Sequence, residues 1–253
     1  MDEAARRRRA SDLIACLDLT NLDEGCTEAD VAALCQRAAT PAGPTAAICI
    51  WPRFIAFART RLDPRIKIAT VVNFPHGGDD IAATVRETEQ AVADGADEID
   101  MVIAYRRLPA DPAFVEEQVR AVKAACGAAR LKTILETGEL KAAETIWQAA
   151  HAALKGGADF LKTSTGKVAE NATPASARLL LEAIAEAGSH VGFKPAGGIK
   201  SFEDAEAYHD LAEAICGAGY ATPARFRIGA SSVLGDLLAV AAGAARAGAK
   251  AGY

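Results

Sequence analysis

The chain has 253 residues, 51% apolar and 24% charged, with a formal net charge of −5. This composition supports a large buried core and argues against intrinsic disorder. The acidic balance leaves no electrostatic footprint for nucleic acid, and no apolar run approaches the roughly 18 residues of a membrane span.

In chain order, Arg6-Arg7-Arg8-Arg9 comes first. Ser11-Asp12 follows instead of the apolar stretch that a secretory or twin-arginine signal needs. The run therefore reads as a solvated helix end, and the expected location is cytoplasmic. Strand-like runs then alternate with Ala-rich amphipathic stretches. The strands are expected at Leu13–Leu19, Thr45–Ile50, Ile66–Phe74, Glu98–Ile103, Leu131–Glu136, Asp159–Thr163, Val191–Pro195 and Phe226–Gly229. Helices are expected over Asp80–Asp94, Ala113–Ala125, Ala142–Leu154, Pro174–Ala187 and Phe202–Ile215. Thr27-Glu28-Ala29-Asp30 offers a capping box, and Thr173-Pro174 places a cap before a first-turn proline. Gly95, Gly156-Gly157 and Gly188 stand where helices should stop.

Strict strand–helix alternation implies a parallel sheet. Eight units in about 250 residues suit an α/β fold of the (β/α)₈ TIM-barrel type. An open dinucleotide-binding sheet would carry GxGxxG after an early strand, whereas the first strand here ends in Asp18-Leu19-Thr20-Asn21. No Pro-, Gly- or Ser-rich linker divides the chain, so residues 1–253 are expected to form a single domain. The six cysteines form no CxxC pair and the four histidines no HxxxH pair. Disulfides, metal ligation and cofactors are not expected.

The functional signal lies in polar residues within the strands. Catalytic groups of a barrel cluster at the C-terminal strand ends. Asp18 and Thr20, Cys49, Asn73, Asp100, Lys132 with Glu136, Lys162, and Lys194 interrupt otherwise apolar runs. A lone lysine of this kind snorkels to the surface. Three on consecutive strands, preceded by an aspartate, point to chemistry. A second cation and desolvation depress an amine's pKa. A neutral lysine then attacks an aldehyde or ketone to form a Schiff base, and a carboxylate moves the protons. Periodicity alone does not say which lysine attacks.

Barrels also bind phosphate on the loops after strands 7 and 8. Pro195-Ala196-Gly197-Gly198-Ile199-Lys200 and Gly229-Ala230-Ser231-Ser232 occupy those places, and Thr163-Ser164-Thr165-Gly166-Lys167 follows strand 6.

These segments resemble the deoxyribose-phosphate aldolase family. Phe160–Lys167 and Gly192–Gly198 carry the likeness. So do Leu17-Asp18-Leu19-Thr20, Ile48–Arg53, Val71–Gly77, Asp97–Val102, Leu135–Gly138 and Arg227–Ser232, all in order. The resemblance implies reversible cleavage of 2-deoxy-D-ribose 5-phosphate to glyceraldehyde 3-phosphate and acetaldehyde. Its implied partners are thus small molecules, without nucleic acid or membrane, and its implied assembly is a monomer or a homodimer, the dimer being preferred. By similarity, Lys162 forms the imine, Lys194 lowers its pKa and Asp100 shuttles protons. Gly166, Lys167, Gly197, Gly198, Lys200, Gly229, Ser231 and Ser232 match the phosphate site. Asp18 and Thr20 match groups near the substrate hydroxyls, and Lys132 is placed with the substrate-binding set. Cys49 matches a cysteine linked to inactivation by aldehydes, its plainer role being packing. Tyr253, on a short mobile C-terminal tail, resembles a proton relay, its plainer reading being a frayed end. Lys200 stands where some relatives carry Arg. The rivals are another imine-forming sugar-phosphate aldolase or transaldolase, and a non-catalytic sugar-phosphate-binding barrel.

Overall fold

A computed structural model describes residues 1–188 and 190–243. Tyr253 and the expected tail lie outside them. Eight parallel strands form one sheet: β1 (Leu17–Asn21), β2 (Ala47–Ile50), β3 (Lys67–Val72), β4 (Glu98–Val102), β5 (Arg130–Ile134), β6 (Phe160–Lys162), β7 (Gly192–Lys194) and β8 (Ile228–Ala230). Their order is β8-β1-β2-β3-β4-β5-β6-β7. Isolated parallel bridges between Phe193 and Phe226 and between Ala196 and Gly229 join β7 to β8 and bring the sheet round into a barrel.

The helices are α1 (Glu3–Ala15), α2 (Glu28–Ala38), α3 (Ile55–Arg59), α4 (Ile81–Ala93), α5 (Pro112–Ala125), α6 (Thr137–Leu140), α7 (Ala143–Lys155), α8 (Pro174–Glu186), α9 (Phe202–Cys216) and α10 (Val233–Ala241). Both expected caps form: Thr27 accepts from the Asp30 amide, and Thr173 from the Ser176 amide, each within a reciprocal box. The arginine run lies within α1 and ties it to α9. Arg6 pairs with Glu203 at 2.7 Å and covers the Phe202 ring, while Arg9 pairs with Asp210 at 2.5 Å.

The first strand is corrected by the structure. Leu13 and Ile14 belong to α1, and β1 starts at Leu17. An apolar run across a helix end and a buried strand shows no change of period at the junction.

Apolar burial divides into two zones. A large cluster fills the space between strands and helices. A small one, Leu22, Ala47, Cys49, Ala69 and Val71, fills one side of the barrel interior. The other side is charged: Asp18, Asp100, Lys132 and Lys194 are all 0% exposed.

Candidate active site

The register of the sheet assembles this charged side. Strand neighbours point to opposite faces, so Glu98 and Asp100 share one face of β4. Asp100 stands opposite Lys132 on β5, and Lys162 on β6 stands opposite Lys194 on β7. The result is one continuous network. Lys162 Nζ donates to Asp100 Oδ2 at 2.7 Å, and Lys194 Nζ donates to the same oxygen at 2.7 Å. Lys132 Nζ donates to Asp100 Oδ1 at 2.9 Å and pairs with Glu98 at 2.6 Å. Lys194 also meets Asp18 Oδ2 at 2.5 Å. Arg227 spans the foot of the network, donating to Asp18 Oδ1 at 2.7 Å and to both Glu98 oxygens at 2.8 and 2.9 Å.

The three lysines are buried alike but titrate differently. Burial pushes every one of them down. For Lys132, Asp100, Glu98 and Asp18 overcome that penalty and hold the ammonium above its ordinary pKa. For Lys194, Asp100 and Asp18 do the same. For Lys162 burial wins: Asp100 is the one carboxylate bonded to it, Cys49 adds a smaller opposing push, and the neighbouring Lys194 charge adds to the depression, so its pKa is lowered. Burial also pushes Asp100 up, but Lys132, Lys162 and Lys194 outweigh it and hold the carboxyl well below the carboxylate range. The arrangement thus supplies an amine inclined to lose its proton beside an ionised carboxylate and a persistent ammonium.

Lys162 also lines a cavity of about 220 Å³ at the C-terminal end of the barrel, with Thr20, Asn21, Thr165, Gly166, Lys167, Gly197, Gly229 and Ser231 around it. Lys194, Lys132, Asp100, Asp18 and Cys49 lie beneath this cavity. Gly198, Lys200 and Ser232 lie outside its lining; Gly198 and Lys200 stay on the strand-7 loop, and Ser232 precedes α10 without capping it by its side chain. Lys132, grouped by sequence with substrate-binding residues, is fully buried among carboxylates. Cys49 is equally buried, and burial raises its thiol pKa, opposite to what a reactive thiolate needs.

Two glycines shape the site. A Cβ at Gly229 would stand 2.9 Å from the Ala196 Cβ and 3.1 Å from the Lys194 Cε, so the bare backbone leaves room for that lysine. Gly197 adopts φ +83°, and a Cβ there would meet Asn171 at 2.7 Å.

Glu136 holds the neighbouring loop. Its backbone is left-handed at φ 55°, and Oε1 accepts the Thr165 N–H at 3.1 Å. Lys167, two residues on, donates from Nζ to the Leu22 carbonyl at 2.9 Å. The polar character of Glu136 was visible in its strand, but not this tether. Asn73 proves structural: its side-chain amide donates to the Gly78 and Val102 carbonyls. Arg227 and Glu98 escaped selection because they stand at the N-terminal ends of their strands. The available signal was a charge between apolar neighbours, Phe226-Arg227-Ile228 and Glu98-Ile99.

Among the described residues, no cluster of three or more His, Cys, Asp or Glu is arranged to hold a metal ion. No helix among them is long and apolar enough to cross a membrane.

Residues 12–239 match the family described as DeoC/LacD family aldolase. The chain belongs to this family. A deoxyribose-phosphate aldolase from Agrobacterium fabrum is 55% identical over 256 residues, covering 99% of each chain. A crystal structure of a proposed deoxyribose-phosphate aldolase from Toxoplasma gondii ME49 in its apo form is 30% identical, with a TM-score of 0.86, covering 94% of this chain and 98% of that one. A deoxyribose phosphate aldolase from Aeropyrum pernix, described as tetrameric, is 26% identical with a TM-score of 0.73, covering 94% of this chain and 98% of that one. In this family member the charged side of the barrel and the glycine-rich rim therefore stand together at one strand end, as an aldolase acting on a small molecule requires.

Proposed function

We propose that this chain is a Schiff-base aldolase that reversibly cleaves 2-deoxy-D-ribose 5-phosphate to D-glyceraldehyde 3-phosphate and acetaldehyde. The observation that carries the chemistry is the depressed amine of Lys162, facing the cavity while bonded to Asp100. The 55% identity to the Agrobacterium enzyme supports the substrate.

Lys162 Nζ attacks C1 of the open-chain sugar. The carbinolamine loses water to give a protonated imine, an electron sink for the electrons of the C2–C3 bond. A base removes the C3 hydroxyl proton, C2–C3 breaks, and glyceraldehyde 3-phosphate leaves. The enamine left on Lys162 is protonated at C2, and water then releases acetaldehyde. Asp100 and Lys194 hold and pass the protons at Nζ and at the carbinolamine oxygen. The substrate phosphate is held by the rim: Gly166, Lys167, Gly197, Gly198, Gly229, Ser231 and Ser232, with the α10 N-terminus behind the last pair. This reading takes the enzyme to be cytoplasmic and a monomer or homodimer, the dimer being preferred.

Reduction with borohydride in the presence of deoxyribose 5-phosphate should add the mass of a reduced imine to Lys162. Label on Lys194 instead would exchange the two lysine roles. No label on folded protein would favour a barrel that binds sugar phosphate without chemistry.

A further inference from the structure

The network does not balance its charge. Four cations, Lys132, Lys162, Lys194 and Arg227, face three carboxylates, Asp18, Glu98 and Asp100. One positive charge is in surplus, and the bonding decides which group carries it. Arg227 grips Glu98 with both terminal nitrogens and also reaches Asp18. Lys132 shares Glu98 and takes one oxygen of Asp100. Lys194 takes the other oxygen of Asp18. What remains for Lys162 is a single oxygen of Asp100, already shared with Lys194.

We infer that Arg227, seated at the opposite end of the barrel from the cavity, is a positioning residue for Lys162: by occupying Asp18 and Glu98 it makes Lys162 the surplus cation of the network. The inference rests on the aldolase reading for its consequence, since only a neutral amine attacks a carbonyl. A guanidinium suits the task because it stays charged at any working pH and its fork fits a carboxylate in two places. Without that charge, Asp18 would be left to Lys194. Lys194 would then release Asp100 to Lys162, and Lys162 would keep its proton.

At the base of the barrel Arg227 also shares a cavity with Arg65, Lys67, Asp97 and Arg130. Lys162 is faced by Asp100, Lys194, Cys49 and, from the end of β5, Glu136; burial pushes the carboxyl of Glu136 up. Arg227 is faced by Asp18, Glu98, Lys132 and the Cys16 thiol, which burial pushes up to about 12, and it donates from Nε to the Pro223 carbonyl.

The test is a charge cycle of Arg227→Gln, Glu98→Gln, the double variant and Arg227→Lys. Two readouts are taken: the acid limb of kcat/KM for deoxyribose 5-phosphate, and the pH dependence of Lys162 acetylation by trace acetic anhydride, located by mass spectrometry. Arg227→Gln should move both to higher pH, by on the order of one unit. Glu98→Gln increases the surplus and should move both to lower pH. The double variant restores a surplus of one and should bring both back toward the wild type. Arg227→Lys, which keeps the charge, should leave the limb in place even if it lowers thermal stability. Single variants that lose activity equally at every pH, with the Lys162 titration unmoved, would overturn the inference. So would a double variant displaced further than either single one. If Arg227→Gln does not fold, Glu98→Gln and the double variant still decide the sign. If the wild type cleaves no sugar phosphate, the functional reading fails, while the acetylation titration still tests the charge argument.

Discussion

The two ends of the barrel hold opposite designs. The C-terminal end has a cavity of about 220 Å³, rimmed by glycines, hydroxyls and one lysine, with an amine of lowered pKa at its floor. The N-terminal end has a larger one, about 660 Å³, lined by Arg65, Lys67, Asp97, Glu98, Arg130 and Arg227. Volume alone would choose the base as the site. Its two carboxylates, however, are already taken: Asp97 by Arg59 at 2.7 Å and Lys67 at 3.9 Å, and Glu98 by Arg227 and Lys132, while Arg65 is held by Asp63 and Arg130 donates to the Ala224 carbonyl. Imine chemistry needs an amine inclined to lose its proton at an accessible place, and the small cavity offers Lys162.

The sharpest way to break this contrast is to remove one lysine from each level. Lys162→Met should cost at least ~10⁴ in turnover, because no other group there forms the imine. Its melting temperature should hold or rise, since the lost ammonium was the surplus one. Lys132→Met removes a fully compensated ammonium and leaves Asp100 and Glu98 buried without it. Urea unfolding should show a loss of about 3–5 kcal/mol. Equal destabilisation by the two substitutions would show that the lysines are not distinguished by compensation.

How much of this was legible in the sequence depended on which end is considered. Eight strands in order, the boundaries of α4, α5, α7, α8 and α9 to within one residue, and the grouping of Asp100, Lys162 and Lys194 could be read from periodicity and from charge inside apolar runs. The last residues of α1, Leu13-Ile14-Ala15, were lost in an apolar stretch continuous with β1, which hid the start of that strand. The depth of Lys132 was not legible. In sequence it is one more lysine within a strand, and only the register of the sheet places it opposite Asp100. Arg227 and Glu98 were passed over because a rule that favours C-terminal strand ends has nothing to say about charges holding the floor.

Acid offers a second comparison, between stability and activity. Asp18, Glu98 and Asp100 are pushed up by burial, yet their cationic partners hold all three below the ordinary range. A carboxyl depressed in the folded state stabilises above its unfolded pKa of about 4 and loses that contribution as pH falls through the folded value. Melting temperature should therefore change little from pH 8 to 5 and fall below about 4. Lys162 works in the other sense: its lowered pKa favours the neutral amine as pH rises, so kcat/KM should decline on acidification before the fold does. Coincident loss of activity and melting temperature would remove the separation between amine and scaffold.

The smallest contrast lies within the rim, between two lysines that sequence placed in the same phosphate site. Lys167 lines the cavity and is anchored through the Leu22 carbonyl, and its loop is tethered by Glu136. Lys200 is exposed beyond the strand-7 loop, where its backbone N–H is given to Asp204 at 2.9 Å. A hydrogen bond to a charged group contributes roughly 1.5–3 kcal/mol, and a tenfold change corresponds to about 1.4. Lys167→Ala should therefore raise KM for deoxyribose 5-phosphate about tenfold or more, and change it much less for unphosphorylated deoxyribose. Lys200→Ala acts only through an exposed, screened charge, and should change KM less than about twofold at physiological salt. Initial rates on both sugars would settle the point. A Lys200→Ala effect equal to that of Lys167→Ala, and confined to the phosphorylated sugar, would mean that the rim closes around phosphate further than the 220 Å³ cavity extends.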